Sequence, residues 1–327
     1  MKRKLARVAS VGLMVVGVSS FSGYNLIAYA ANSSTTQSSL LPTVITPTQD
    51  LSNFHALTAS ASELQRFHFP ARPTNPSRLA EWEKIMGNLK TYVAPVQIPS
   101  TTTHEQTSNW AGYDVQGQNN GGTGVYYTDT NAYWIQPTYA VDGTSDPSFW
   151  VGQGGDSNVG GYDIVQAGAD SGAENAGGTT QYEFWVENWP KGTMWQAKPS
   201  VSPGDTVYVD VNWANGEAWA ILSDQTKGTW TQVPFSAPDT QNLNTADYIN
   251  ENVTPTNFDL WKDWGSVNFY SGQLSWYNGS NGNSGSGDMS SYNDTPVSMI
   301  YNQITYSSPS AVNSSTSGFT VYADSSQ

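Results

Sequence analysis

Tyr162-Asp-Ile-Val-Gln166-Ala-Gly-Ala-Asp170, followed by Gln181-Tyr-Glu183-Phe-Trp185-Val-Glu187-Asn-Trp189-Pro190, reads as two neighbouring strands. Strand side chains alternate sides, so Glu183, Trp185, Glu187 and Trp189 point one way while Tyr182, Phe184 and Val186 point the other. The second set is plain core. The first places carboxylates beside large aromatics, an arrangement suited to a cleft that grips a polymer.

Working outward, short runs rich in Val, Tyr, Trp, Ile and Thr recur between Gly, Asn, Asp and Pro clusters. They span Gly124 to Pro137, Ser148 to Gly152, Tyr162 to Gly168, Gln181 to Pro190, Thr206 to Trp213, Glu217 to Ser223, Thr229 to Phe235, Ala246 to Val253, Ser266 to Tyr277, Val297 to Thr305 and Gly318 to Tyr322. Asp224-Gln-Thr-Lys-Gly228 reads as a hairpin loop and Pro203-Gly-Asp205 as the turn before a strand. Gly279 to Asp288, almost all Gly, Ser and Asn, reads as a flexible surface loop or flap. So many antiparallel strands without internal repeat predict an all-β domain, a two-sheet, jelly-roll-like β-sandwich with one concave face.

The N-terminal part differs. Lys2, Arg3, Lys4 and Arg7, the apolar run Val8 to Val18 and Ala28-Tyr29-Ala30 have the form of a secretory signal, with cleavage expected after Ala30. That run is short for a membrane span and no later stretch is apolar enough, so the product is expected outside the cell, off the membrane. Residues 31–105 read as a propeptide. Leu79, Trp82, Ile85, Met86 and Leu89 repeat at helical spacing behind Ser77 as the expected cap. Arg66, His68, Arg72, Arg78, Lys84 and Lys90 make this segment the basic counterpart of an acidic remainder. It is expected to cover the cleft as an intramolecular inhibitor and to leave when acid neutralises the carboxylates opposite. The β-sandwich domain is then expected to be 106–327, as a monomer.

Charge narrows the partners. The 327-residue chain carries a net charge of −14 and no cysteine. Every arginine lies at or before Arg78, and beyond residue 100 the basic residues are Lys191, Lys198, Lys227 and Lys262. Such a surface repels phosphate backbones and anionic membranes, which argues against nucleic-acid binding. Charged residues make up only 12% of the chain, so few ion pairs are there to be lost in acid. An acid-adapted secreted protein is expected, stabilised by its core without disulfides.

The inventory also limits the chemistry. His55, His68 and His104 all precede the expected mature domain, which therefore lacks histidine and cysteine. Nucleophilic systems built on histidine and the common zinc sites are excluded, and no cofactor or metal is called for. Catalysis must run on carboxyl, carboxamide and hydroxyl groups. One arrangement is a glycosidase using Glu183 and Glu187, but Trp185 stands where an orienting Asp would be expected. Residues four apart on a strand are also separated by about 13 Å, against ~5–5.5 Å for retaining enzymes. Another is a lectin-like module stacking sugars on Trp150, Trp185 and Trp189.

A third arrangement rests on order. Ser108-Asn109-Trp110-Ala111-Gly112, Phe149-Trp150-Val151-Gly152, Ile164-Val165-Gln166-Ala167-Gly168, Tyr182-Glu-Phe-Trp185-Val-Glu187-Asn-Trp-Pro190, Val201-Ser-Pro-Gly204-Asp205 and Asn244-Thr-Ala246-Asp-Tyr248-Ile249-Asn250-Glu251 follow one another along the chain. In this order they resemble the glutamic peptidases, or eqolisins. The resemblance implies a concanavalin A-like sandwich and an acid endopeptidase acting on polypeptides. It places the catalytic glutamine at Gln166 and the catalytic glutamate at Glu251, with Trp150, Glu183, Trp185 and Glu187 as substrate-binding neighbours. The chain departs from the family at Gln153-Gly154-Gly155, where an Asp usually follows Trp-Val-Gly. It departs again at Glu183 and Trp189, which replace the Asp and Tyr more frequent in fungal members.

Overall fold

The computed structural model describes residues 51–99, 109–138, 147–155, 163–172, 181–189, 193–214, 217–235, 243–252, 265–301 and 303–323. The expected signal peptide and the propeptide boundary at residue 105 lie outside these residues. Among the described residues three α-helices occur: α1 (Ala61–Arg66), α2 (Pro76–Asn88) and a single turn, α3 (Gly117–Asn120), with a 3-10 turn at Met289–Ser291. The strands are β1 (Thr91–Tyr92), β2 (Val96–Pro99), β3 (Trp110–Gln116), β4 (Val125–Ile135), β5 (Pro147–Gly154), β6 (Ile164–Gly172), β7 (Gln181–Trp189), β8 (Thr193–Ser200) and β9 (Thr206–Ala214). They continue with β10 (Glu217–Asp224), β11 (Thr229–Phe235), β12 (Thr245–Asn252), β13 (Ser266–Asn278), β14 (Ser284–Asp288), β15 (Asp294–Val297), β16 (Met299–Tyr301), β17 (Ile304–Pro309) and β18 (Phe319–Ala323).

They form two sheets. The first runs β1-β11-β10-β9-β4-β13-β18-β17-β16, with β14 also on β13; the second runs β15-β3-β12-β5-β6-β7-β8-β2. The short β1–β11 pair is parallel. Between the sheets lies one core in which Trp134, Val207, Val209, Ala220, Leu222 and Val233 of the first meet Phe149, Val151, Val165, Ala167, Phe184, Val186 and Tyr248 of the second. This is the all-β sandwich expected from the alternation. Both predicted turns are present: the β10–β11 loop closes by Gly228 N–H donating to the Asp224 carbonyl at 2.8 Å, and Gly204 takes a positive φ of 85° before β9.

Three expectations need correction. Gly279 to Asp288 is not a free flap, because Ser284–Asp288 forms β14 and pairs along β13 from Tyr277 to Gln273. Backbone pairing makes that strand where side chains give no signal. The α2 cap is Asn75, whose Oδ1 accepts from Ser77 N–H at 3.0 Å and Arg78 N–H at 3.4 Å; Ser77 lies within the first turn behind Pro76.

The third concerns the cleft. Leu51, Leu64, Phe69, Trp82, Ile85, Met86 and Leu89 pack with Tyr133, Tyr208, Ile221 and Trp230 into a second buried cluster. Those four domain residues alternate with core residues of the first sheet, so they face away from the sandwich interior. Residues 51–92 therefore cover the outer face of the first sheet and not the outer face of the second, where the cleft was expected. An aromatic face, not a row of carboxylates, attracts this segment.

Candidate active site

Neighbouring strands β3, β12, β5, β6 and β7 form the middle of the second sheet, and their residues pointing away from the core make one surface. Trp150, Ile164, Trp185 and Ile249 pack there as a separate buried cluster, flanked by Trp110 and Trp189. Glycines keep the floor low. A Cβ on Gly168 would run into the Phe149 carbonyl oxygen and come within 2.6 Å of the Trp150 Cβ. On Gly152 it would lie 3.1 Å from both the Trp150 Cζ3 and the Gln166 Cβ. These two glycines let the Trp150 ring lie against the sheet and reach toward Gln166.

The other end of that ring reaches Glu251. Trp150 Nε1–H donates to Glu251 Oε2 at 2.9 Å, and Asn109 Nδ2–H donates to Oε1 at 3.0 Å. Trp110 stands edge-on to Trp150, with centroids 4.8 Å apart at 81°. Glu251 is only 5% exposed, and burial lifts its carboxyl from 4.5 to about 7, against the pull of the Trp150 and Asn109 donors.

Gln166 pairs across the β6–β7 ladder with Glu187, and its Nε2–H donates to Glu187 Oε2 at 3.0 Å. Glu187 is 1% exposed. Burial first, and then the Glu251 charge, push its carboxyl up to about 8, with the Gln166 bond acting in the opposite direction. The surface thus combines two neighbouring carboxyl groups that resist ionisation, a primary amide held by one of them, and an indole and a carboxamide donor on the other. Such a set can take up and return a proton and can offer an N–H to a developing negative charge.

Of the residues singled out from sequence, Trp150, Gln166, Glu187 and Glu251 are brought together. Trp185 braces the floor, its Nε1–H donating to Ser148 Oγ at 2.9 Å. Glu183 shares the face of Glu187 but lies in the register of Asp170 and is half-exposed. Glu187 thus bonds Gln166 and feels the charge of Glu251, where the glycosidase arrangement would pair it with Glu183. In the sequence Asn109 stands out only as part of the Ser108–Gly112 motif. Its contact with Glu251 spans 142 positions of sequence, and only the β3–β12 pairing makes it visible.

Comparison with known proteins bears on the family and the fold. A family model described as the Peptidase A4 family matches residues 108–316. No curated protein matches the chain in sequence. Scytalido-glutamic peptidase, solved with a transition-state analogue inhibitor, superposes with a TM-score of 0.50 at 19% identity, over 66% of this chain and 98% of that one. Aspergilloglutamic peptidase from Aspergillus niger gives 0.42 at 23% identity, over 54% and 98%.

Proposed function

The chain belongs to the Peptidase A4 family, the glutamic peptidases, and from that premise we propose a secreted endopeptidase in which Glu251 activates water and Gln166 stabilises the oxyanion. Hydrolysis of peptide bonds follows from the family. The residue roles rest on one observation above all: Trp150 bonds Glu251 at one end and closes on the Gln166 side at the other.

In this mechanism the Glu251 carboxylate takes a proton from water as the water attacks the scissile carbonyl. The second N–H of the Gln166 amide, the first being held by Glu187, donates to the oxygen as it gains charge. Protonated Glu251 then gives its proton to the leaving nitrogen. A buried carboxyl with a raised pKa suits both halves, being a stronger base when ionised and a retained proton source in acid. Trp150, Trp185 and Glu183 line the path of an extended polypeptide.

Hydrolysis of casein or a peptide library from pH 3 to 8, by the parent and by Glu251→Gln and Gln166→Ala, tests this reading. Glu251→Gln is expected to abolish turnover with the fold intact. Full activity in that variant, or activity on β-glucan and not on peptides, sinks it.

Residues 1–30 are proposed to direct secretion and 31–105 to form a pro-region cut from the catalytic domain on maturation. Latency from residues 51–92 would not arise by covering Gln166 and Glu251, since those residues pack on the other sheet. A cut near residue 105 would instead fall close to Asn109, the amide that holds Glu251. N-terminal sequencing of the secreted protein and gel filtration check the cut and the monomeric state.

A further inference from the structure

We propose that residues 51–93 stay bound to the sandwich after the chain is cut, as a second, non-covalent chain that permanently seals the outer face of the first sheet. The proposal rests on the reading of a cut near residue 105 and goes beyond it in assigning the fate of the released piece.

The contact has the character of a core. On the segment side Leu51, Leu64, Trp82, Ile85, Met86 and Leu89 are each at most 7% exposed. On the sheet side Tyr133, Tyr208, Ile221 and Trp230 are at most 4% exposed. Without the segment these aromatics would form a large apolar patch in water, of the kind that drives association.

Backbone pairing adds to this. Thr91–Tyr92 forms the edge of the first sheet beside Thr229–Trp230, and Val93 N–H donates to the Trp230 carbonyl at 2.8 Å. The segment also holds its own shape, through the capping box of Ser60 and Glu63 and through Trp82 Nε1–H donating to the Pro70 carbonyl at 3.1 Å.

Acid has little to remove here. Among the described residues the ion pair across this contact is Arg78–Asp288 at 3.2 Å, whose Asp side chain is 48% exposed. Glu81 accepts from Gln273 Nε2–H at 2.9 Å, a bond from a neutral amide and not an ion pair. Gln232 Nε2–H donates to the Phe67 carbonyl at 2.8 Å, and the His68 ring stacks on Trp219 at 4.3 Å. Asp129 and Asp210 lie beneath, near Tyr208, and burial favours their neutral forms. An open cavity of about 840 Å³ lined by Arg72, Arg78, Glu81 and Asp129 interrupts the contact without dividing the apolar cluster. A segment designed to be shed in acid would rest on ion pairs; this one rests on tryptophans and leucines.

The test uses the full chain in the Glu251→Gln form, or Gln166→Ala should that not fold, with a site-specific protease sequence replacing residues 100–106. An external cut makes the outcome independent of the chain's own catalysis. After nicking, gel filtration at pH 4 and pH 7 is expected to give one peak containing both fragments, which separate only in denaturant. An N-terminal fragment eluting by itself at either pH overturns the proposal. The double variant Trp82→Ala, Ile85→Ala is expected to release the fragment and Arg78→Ala to retain it. The reverse pattern, or retention in both, overturns the apolar account of what holds it.

Discussion

Glu251 is held by two donors of different kinds, and its proton affinity responds to each. The Trp150 and Asn109 bonds stabilise the carboxylate against a burial that disfavours it. Trp150→Phe keeps the ring and removes the N–H, so the Glu251 pKa should rise further. Since the ionised form starts the proposed cycle, the acid limb of kcat/KM should move to higher pH in this variant, while the plateau falls less than tenfold. An unmoved limb would mean that another group governs it. Gln166→Ala removes the proposed oxyanion donor and should lower kcat by about 10²–10³-fold with KM little changed, by analogy with single oxyanion donors elsewhere. At Glu187 the side chain acts through Gln166. Glu187→Ala should lower kcat more than it alters KM, and Glu187→Gln, which keeps an acceptor for the Gln166 amide, should recover much of the loss. Steady-state kinetics on one peptide substrate separates these outcomes.

At the level of strands, the site depends on two glycines as much as on the catalytic side chains. Gly168→Ala puts a methyl into the Phe149 carbonyl and the Trp150 Cβ, both parts of a rigid ladder. A loss of about 1–3 kcal/mol in urea unfolding is expected, together with a drop in activity as Trp150 is lifted from Glu251. Such packing also explains what the sequence could and could not show. The strands β6 and β7 are legible because one face is continuous core and the other mixed. By contrast β3 is buried nearly throughout, its pattern broken by Gly112 and Asp114, so alternation says little about Trp110–Gln116. Strand β8 carries Met, Lys and Pro, and β14 reads Ser-Gly-Ser-Gly-Asp; both exist because a neighbour offers its backbone. Gln166 and Glu251 were legible only through an ordered set of motifs. No local pattern distinguishes a lone strand glutamine from a catalytic one, and the Asn109 contact is wholly tertiary.

For the molecule as a whole, buried carboxyl groups set how stability varies with pH. Burial raises Asp129 from 3.8 to about 6, Glu251 from 4.5 to about 7 and Glu187 from 4.5 to about 8, and holds Asp210 well above 3.8. Each binds its proton more tightly folded than unfolded. Its stabilising contribution is therefore complete below the unfolded pKa and is lost as pH rises through the folded one. The loss should begin near pH 4 and run to about pH 8, with a slope of about 1.4 kcal/mol per pH unit for each proton whose binding differs. Asp205 acts in the opposite sense: burial opposes its ionisation, yet bonds from Lys227, Asp224 and Ser202 hold its pKa low. Being a partly exposed pair, it matters only in stronger acid and contributes little. The composition suggested acid tolerance because few ion pairs could be lost; the fold supplies a stronger reason, since acid keeps its buried carboxyls neutral. Thermal melts should therefore give a higher Tm at pH 4 than at pH 8, and Asp210→Asn, which removes one titrating proton beneath residues 51–93, should flatten the fall. A Tm that rises between pH 4 and pH 8 would show that the carboxyls ionise at little cost, and would remove this physical basis for acid stability.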